Sequence, residues 1–143
     1  MAYVTQAELE TLMYSARLVD CADDDGNGSS DAAVVTDVLA RASAFLDDAA
    51  VAAGYTLPLS STNLTPLVRE HVGWIAAHLA ARRRPQFRDA QGHAPYYQEH
   101  LAALAWLKDV RSGTVGLYPA DAPSTQESET AYAVSNTRRR WIR

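Results

Sequence analysis

Residues 31–59 carry the longest unbroken helical pattern in the chain, and the rest of the fold has to be arranged around it. Val34, Val38, Ala42, Phe45 and Ala49 recur at intervals of three and four, which places them on one side of a helix. Val35, Leu39 and Leu46 form a second apolar row beside them, so the predicted buried stripe is wide. Asp31 is placed to cap the first turn by accepting backbone N–H groups that the helix leaves unbonded. Gly54 is placed to end the helix, because glycine takes the left-handed conformation without a Cβ clash. The exit Tyr55-Thr56-Leu57-Pro58-Leu59 reads as extended, since a residue before proline avoids the α region.

Three more helical stretches surround it. Residues 5–19 open with Thr5-Gln6-Ala7-Glu8, the spacing of a capping box, and offer Leu9, Leu12, Met13 and Ala16 as the inner face. Residues 65–84 begin at Thr65-Pro66, where proline loses no useful N–H, and end before Pro85. In that stretch Val68, Val72, Ile75 and Leu79 keep the helical spacing, and Leu67, His71, Trp74 and His78 run alongside. Gly73, Ala76 and Ala77 are small enough to let a neighbouring helix come close. Residues 95–111 present Tyr97, Leu101, Leu104 and Leu107 before the stop at Ser112-Gly113, and Val115 to Tyr118 should pack back on the bundle. With 48% apolar residues, much of it alanine, and few strand formers, the expectation is all-α: a four-helix bundle-like domain over 1–118. Residues 119–143 turn polar and lose helical period, which predicts an extended or disordered C-terminal tail. Within it, Tyr132 and Val134 could pair as a strand with a partner. Arg138, Arg139, Arg140, Trp141 and Ile142 combine cations and apolar anchors, so all seven are the expected partner-binding residues.

Upstream of the central helix, Asp23-x-Asp25-x-Asn27-Gly28 matches the first half of an EF-hand calcium loop, with Asp31 at the ninth position. The twelfth position, which needs a bidentate Glu, is Val34, and the eighth is Ser30 instead of an apolar residue. The loop therefore reads as a solvated turn near the positive end of a helix; Asp23, Asp25, Asn27 and Asp31 are the groups a cation would use. No catalytic constellation stands out. His71 and His78 lie about 10 Å apart along one helix, too far to share a metal ion. Cys21 is the single cysteine, which excludes an internal disulfide and a cysteine-based zinc site. Arg82-Arg83-Arg84 oppose the macrodipole at a helix C-terminus and do not repeat along a face, as a nucleic-acid stripe would need. A net charge of −4 also argues against non-specific affinity for nucleic acid. No apolar run is long enough to span a membrane, and the opening lacks the character of a signal peptide, so a reducing cytoplasm is the expected setting. These residues predict a protein without cofactor or enzymatic activity. A calcium-responsive helical module and a nucleic-acid-binding module using Arg82–84 and Arg138–140 stay open as alternatives.

The order of motifs carries a resemblance. Asp25-Gly26-Asn27-Gly28, then Asp31, Val34-Val35, the alanine-rich helix from Ala40 to Leu46, and Tyr55-Thr56-Leu57-Pro58-Leu59 together resemble the Mu-like prophage head proteins. Those are similar to the tailed-phage head–tail connector, or adaptor, proteins. Tyr3 to Leu9, Trp74 to Leu79 and Leu107 to Leu117 fit the same pattern, which spans residues 3–118, although Gly54 stands where the family often has Arg. The resemblance implies a small helical subunit in a homo-oligomeric, dodecameric ring beneath the portal protein at the virion head–tail junction, assembled in the bacterial host cytoplasm. Such a ring extends the DNA channel without sequence-specific binding, receives the stopper or tail component, and sends its C-terminal segment into the portal.

Overall fold

The structure, a computed structural model, describes residues 2–119. The predicted partner-binding residues Tyr132, Val134, Arg138, Arg139, Arg140, Trp141 and Ile142 lie outside the described residues. The described residues form five α-helices: α1 (Gln6–Met13), α2 (Ser15–Ala22), α3 (Ala32–Ala52), α4 (Pro66–Arg82) and α5 (Tyr97–Arg111), with a 3-10 turn at Pro85–Phe87. Among the described residues there is no strand, in keeping with an all-α chain. α4 packs against all four other helices, and α3 and α5 close against each other beside it.

The four expected helices become five because the stretch 5–19 breaks at Tyr14, whose φ of 64° no helix accommodates. In one continuous helix Leu18 would sit about 140° round the axis from Met13. The break lets Leu9 and Met13 of α1, and Leu18, Cys21 and Ala22 of α2, all reach the core. The Tyr14 side chain is turned out, 78% exposed.

On α3 the buried positions are Val35, Val38, Leu39, Ala42, Ser43, Leu46, Ala49 and Ala50. Phe45, expected inside, is 40% exposed, and Val34 is only half-buried. Two packed neighbours, α4 and α5, rotate the inner face toward the second apolar row, where alanines let helix axes approach. The helix ends at Gly54 (φ 90°): the Gly54 N–H donates to Val51 O at 3.0 Å and the Tyr55 N–H to Ala50 O at 2.9 Å. These are the two bonds of a Schellman motif. Asp31 occupies the N-cap position, and its carbonyl accepts from the Val35 N–H at 3.0 Å, but its side chain makes no cap bond to α3. Its carboxylate instead accepts from the Asp24 N–H at 2.8 Å, folding the acidic loop onto the helix start.

The other caps form as the sequence predicts. The Glu8 N–H donates to Thr5 Oγ1 at 3.2 Å and the Thr5 N–H returns to Glu8 Oε2 at 2.7 Å. Thr65 caps α4 by accepting from the Val68 N–H. At Gly73 α4 leaves room for α1: a Cβ there would clash with Leu12 Cδ1. On α5, Leu101 is exposed rather than core, whereas Ala103, Trp106, Leu107 and Val110 are buried.

Three tyrosine hydroxyls hold the exit from α3. The Tyr3 hydroxyl donates to Asp47 Oδ1 at 2.6 Å and accepts from the Leu59 N–H at 3.2 Å. Tyr118 accepts from the Ser60 N–H at 3.1 Å, and Tyr55 accepts from the Leu117 N–H at 3.2 Å. The rings of Tyr55 and Tyr118 meet edge to face with centroids 5.8 Å apart. The segment 115–118 thus packs back as expected, with Leu117 fully buried. Burial, and then the bond to Asp47, push the Tyr3 phenol up to about 12. Folding favours its neutral form, so its contribution is complete below the unfolded value of about 10 and is lost as pH rises toward 12. At about 1.4 kcal/mol per unit, alkaline pH should cost the native protein about 2–3 kcal/mol through this one group. In urea titrations across that range, Tyr3→Phe should be about 1–2 kcal/mol less stable near neutrality. It should also show a shallower alkaline decline than the native chain.

Candidate interaction surfaces

The acidic loop folds as a self-contained turn. Asp23 Oδ1 accepts from the N–H groups of Gly26 (2.7 Å) and Asn27 (3.1 Å), and Oδ2 from the Gly28 N–H at 2.9 Å. The Asn27 amide donates to Asp25 Oδ2 at 2.8 Å. Those amides hold the Asp23 carboxyl below the usual carboxylate range. Asp23, Asp25 and Asp31 each bring one carboxylate oxygen within 4.8 Å of the others, so three of the four sequence-predicted groups do converge, while Asn27 is spent on Asp25. The loop is also clamped from α4. Arg83 and Arg84 both pair with Asp24, the latter at 2.9 Å, and they bond the carbonyls of Cys21 and Asp23 as well. Arg83, ahead of any other influence, holds the Asp24 carboxyl low. Two members of the arginine triplet are therefore structural ties to the loop, and their guanidinium charges oppose a bound cation. Cys21, beneath the loop, is buried and its thiol is pushed up by that burial, which leaves it inert.

The histidines, dispersed in sequence, line up along the α4–α5 seam. His71 stacks on Trp106 with ring centroids 4.6 Å apart, and His78 on His100 at 4.3 Å. Tyr97 lies 6.0 Å from His78 and 4.2 Å from His93. The row Leu67, His71, Trp74, His78 had signalled a second face of α4. What sequence spacing could not show is that the turn at 85–96 returns α5 antiparallel against that face.

Two apolar surfaces remain uncovered on different parts of the bundle. One follows α3 and α5: Phe45, Leu104 and Leu107 line a groove of about 260 Å³ rimmed by the charged side chains of Asp48, Lys108 and Arg111, and Leu101, 41% exposed, lies one turn along from Leu104. The other lies between α1 and the start of α4, a hollow of about 670 Å³ walled by Leu12, Leu64 and Pro66, with Glu8 and Arg69 paired at 3.1 Å. Leu67 stands exposed next to Pro66. A further hollow of about 610 Å³ shares Leu64 and Pro66 and is bounded by Tyr118 and Pro119, where the described chain ends.

Compared with known families, residues 3–136 match the family model described as bacteriophage Mu, Gp36. The chain belongs to that family. No curated protein matches it. Membership makes this a protein of a Mu-like phage or prophage and points to a structural or morphogenesis role. The Gp36 match takes in the acidic loop, both apolar surfaces and the positions of Tyr132 and Val134, and stops before Arg138. Among the described residues no helix is long and apolar enough to cross a membrane.

Proposed function

We propose that this Gp36-family chain is a head–tail connector, or adaptor, subunit. Copies form a ring under the portal protein, extend the DNA channel, and receive the stopper or tail component. The observation that carries the reading is the presence of two unlike apolar surfaces on one small helical domain of a phage family. A ring is built from heterologous contacts, in which one patch of each subunit meets a different patch of the next. The Phe45–Leu101–Leu104 face and the Leu12–Leu64–Leu67 face supply such a pair. The role proposed is non-enzymatic and needs no cofactor: His71 is packed on Trp106 and Cys21 is buried. A net charge of −4 suits a channel that passes DNA without gripping it, and sequence-specific binding is no part of the proposed role.

Attachment to the portal falls to the C-terminal segment, through Tyr132, Val134, Arg138, Arg139, Arg140, Trp141 and Ile142. Its composition pairs aromatic and aliphatic anchors with arginines, the residue types that dominate protein interfaces. Deleting residues 123–143 should leave thermal unfolding of the helical domain unchanged and reduce co-sedimentation with the cognate portal by about tenfold or more. Undiminished attachment would assign portal binding to the helical domain instead.

A further inference from the structure

The seam between α4 and α5 ends, beside the Leu101–Leu104 face, in a concentration of basic groups to which the connector role gives no task. His78 and Arg82 from α4, Arg88 and His93 from the connecting loop, and His100 from α5 line one cavity of about 340 Å³. No described carboxylate lines it. Asp89 is turned to the loop, accepting from the N–H groups of Gln91 (2.9 Å) and His93 (2.8 Å) and standing 3.5 Å from His93 Nδ1. Glu99 and Asp48 line neighbouring hollows. Unlike Arg83 and Arg84, Arg82 and Arg88 make no ion pair among the described residues.

The imidazoles are arranged to meet an anion. His78 is 5% exposed and its Nδ1 lies 3.1 Å from Pro95 O. A carbonyl only accepts, so that nitrogen carries hydrogen and neutral His78 keeps its lone pair on Nε2. His100 stacks on His78 and its buried Nδ1 has no hydrogen-bond partner. Burial first, then the charges of His78 and Arg82, hold His100 below the usual histidine range. We propose that this cavity is an oxyanion site that takes a phosphate group, gripped by Arg82 and Arg88 as His100 gains a proton from solvent. Phosphate suits it better than a carboxylate. Its tetrahedral oxygens meet donors arriving from two helices and a loop, whereas a planar carboxylate is matched by a single guanidinium fork. The volume also leaves room for an ester beyond the phosphate itself. Free phosphate and a nucleic-acid backbone present the same group.

The test uses the full chain with its histidine rings followed by nitrogen-15 NMR while inorganic phosphate is added at constant ionic strength. The rings of His78, His93 and His100 should shift along one saturable curve, and His71, sequestered against Trp106, should not. Binding should weaken at least about tenfold between about pH 6 and pH 8, as proton uptake requires. Arg82→Gln with Arg88→Gln, both at exposed positions, should weaken it about tenfold or more without moving Tm. A short single-stranded oligonucleotide supplies the second arm: tighter binding than inorganic phosphate assigns the site to a nucleic-acid backbone, and weaker binding assigns it to the free ion. A non-saturating response, equal movement of His71, indifference to the arginine substitutions, or acetate binding as tightly as phosphate would each overturn the proposal.

Discussion

Trp106→Ala should cost the fold about 3–5 kcal/mol, the largest single-residue effect expected in this domain. Trp106 is 9% exposed on α5 and lies against His71 of α4 with an interplanar angle of 19°. Truncation removes the broadest surface in the α4–α5 seam and leaves a void flanked by two stiff helices, which cannot collapse to fill it. It also exposes His71, whose ring burial now holds below the usual histidine range. Trp106→Phe separates packing from polarity. The ring persists, and the indole N–H, which is buried without a partner, disappears. That variant should lose no more than about 1.5 kcal/mol. Urea denaturation followed by circular dichroism reads both, with a lowered midpoint and an unchanged slope. A loss below about 1 kcal/mol for Trp106→Ala would mean that α5 is not seated as described.

The largest functional effect is expected from charge on the uncovered faces. Phe45→Glu combined with Leu101→Glu should abolish ring assembly, because each places an ion in an interface core that excludes water. Both side chains are about two-fifths exposed in the single subunit, so its stability should change by no more than about 1 kcal/mol. Leu67→Glu, at the other face, should have the same outcome. Mixing the two variants gives a sharper readout. A heterologous contact needs one intact face from each partner, so the mixture should stop at a dimer of unlike variants. Analytical ultracentrifugation in the presence of portal distinguishes this from closed rings, and rings formed by either variant alone would remove these faces from the assembly.

Much of the architecture is legible in the sequence because it is encoded locally. The Thr5–Glu8 capping box, Thr65-Pro66 and Gly54 each act within about four residues, and each marks its helix end where expected. What spacing alone does not decide is which of two adjoining apolar rows faces inward. Phe45 and Leu46 differ by one position, and only the docking of α4 and α5 buries the second and leaves the first outside. The break at Tyr14 follows from the phase between Met13 and Leu18, a conflict visible only when both must reach one core. The least legible features are long-range. Arg83 and Arg84 meet Asp24 across about sixty positions, so an arginine triplet that looks like a helix-end charge cluster is instead the clamp on an acidic loop. The pairing of His78 with His100 likewise exists only because the loop after α4 reverses the chain.

The central claim, a connector ring, is tested most directly by electron microscopy of the purified full chain mixed with its cognate portal. A monomer observed without portal is compatible with assembly triggered by attachment. With portal present, the account predicts closed rings coaxial with it. Portal particles that stay bare at high concentrations of the chain, with no rings in the field, would contradict it.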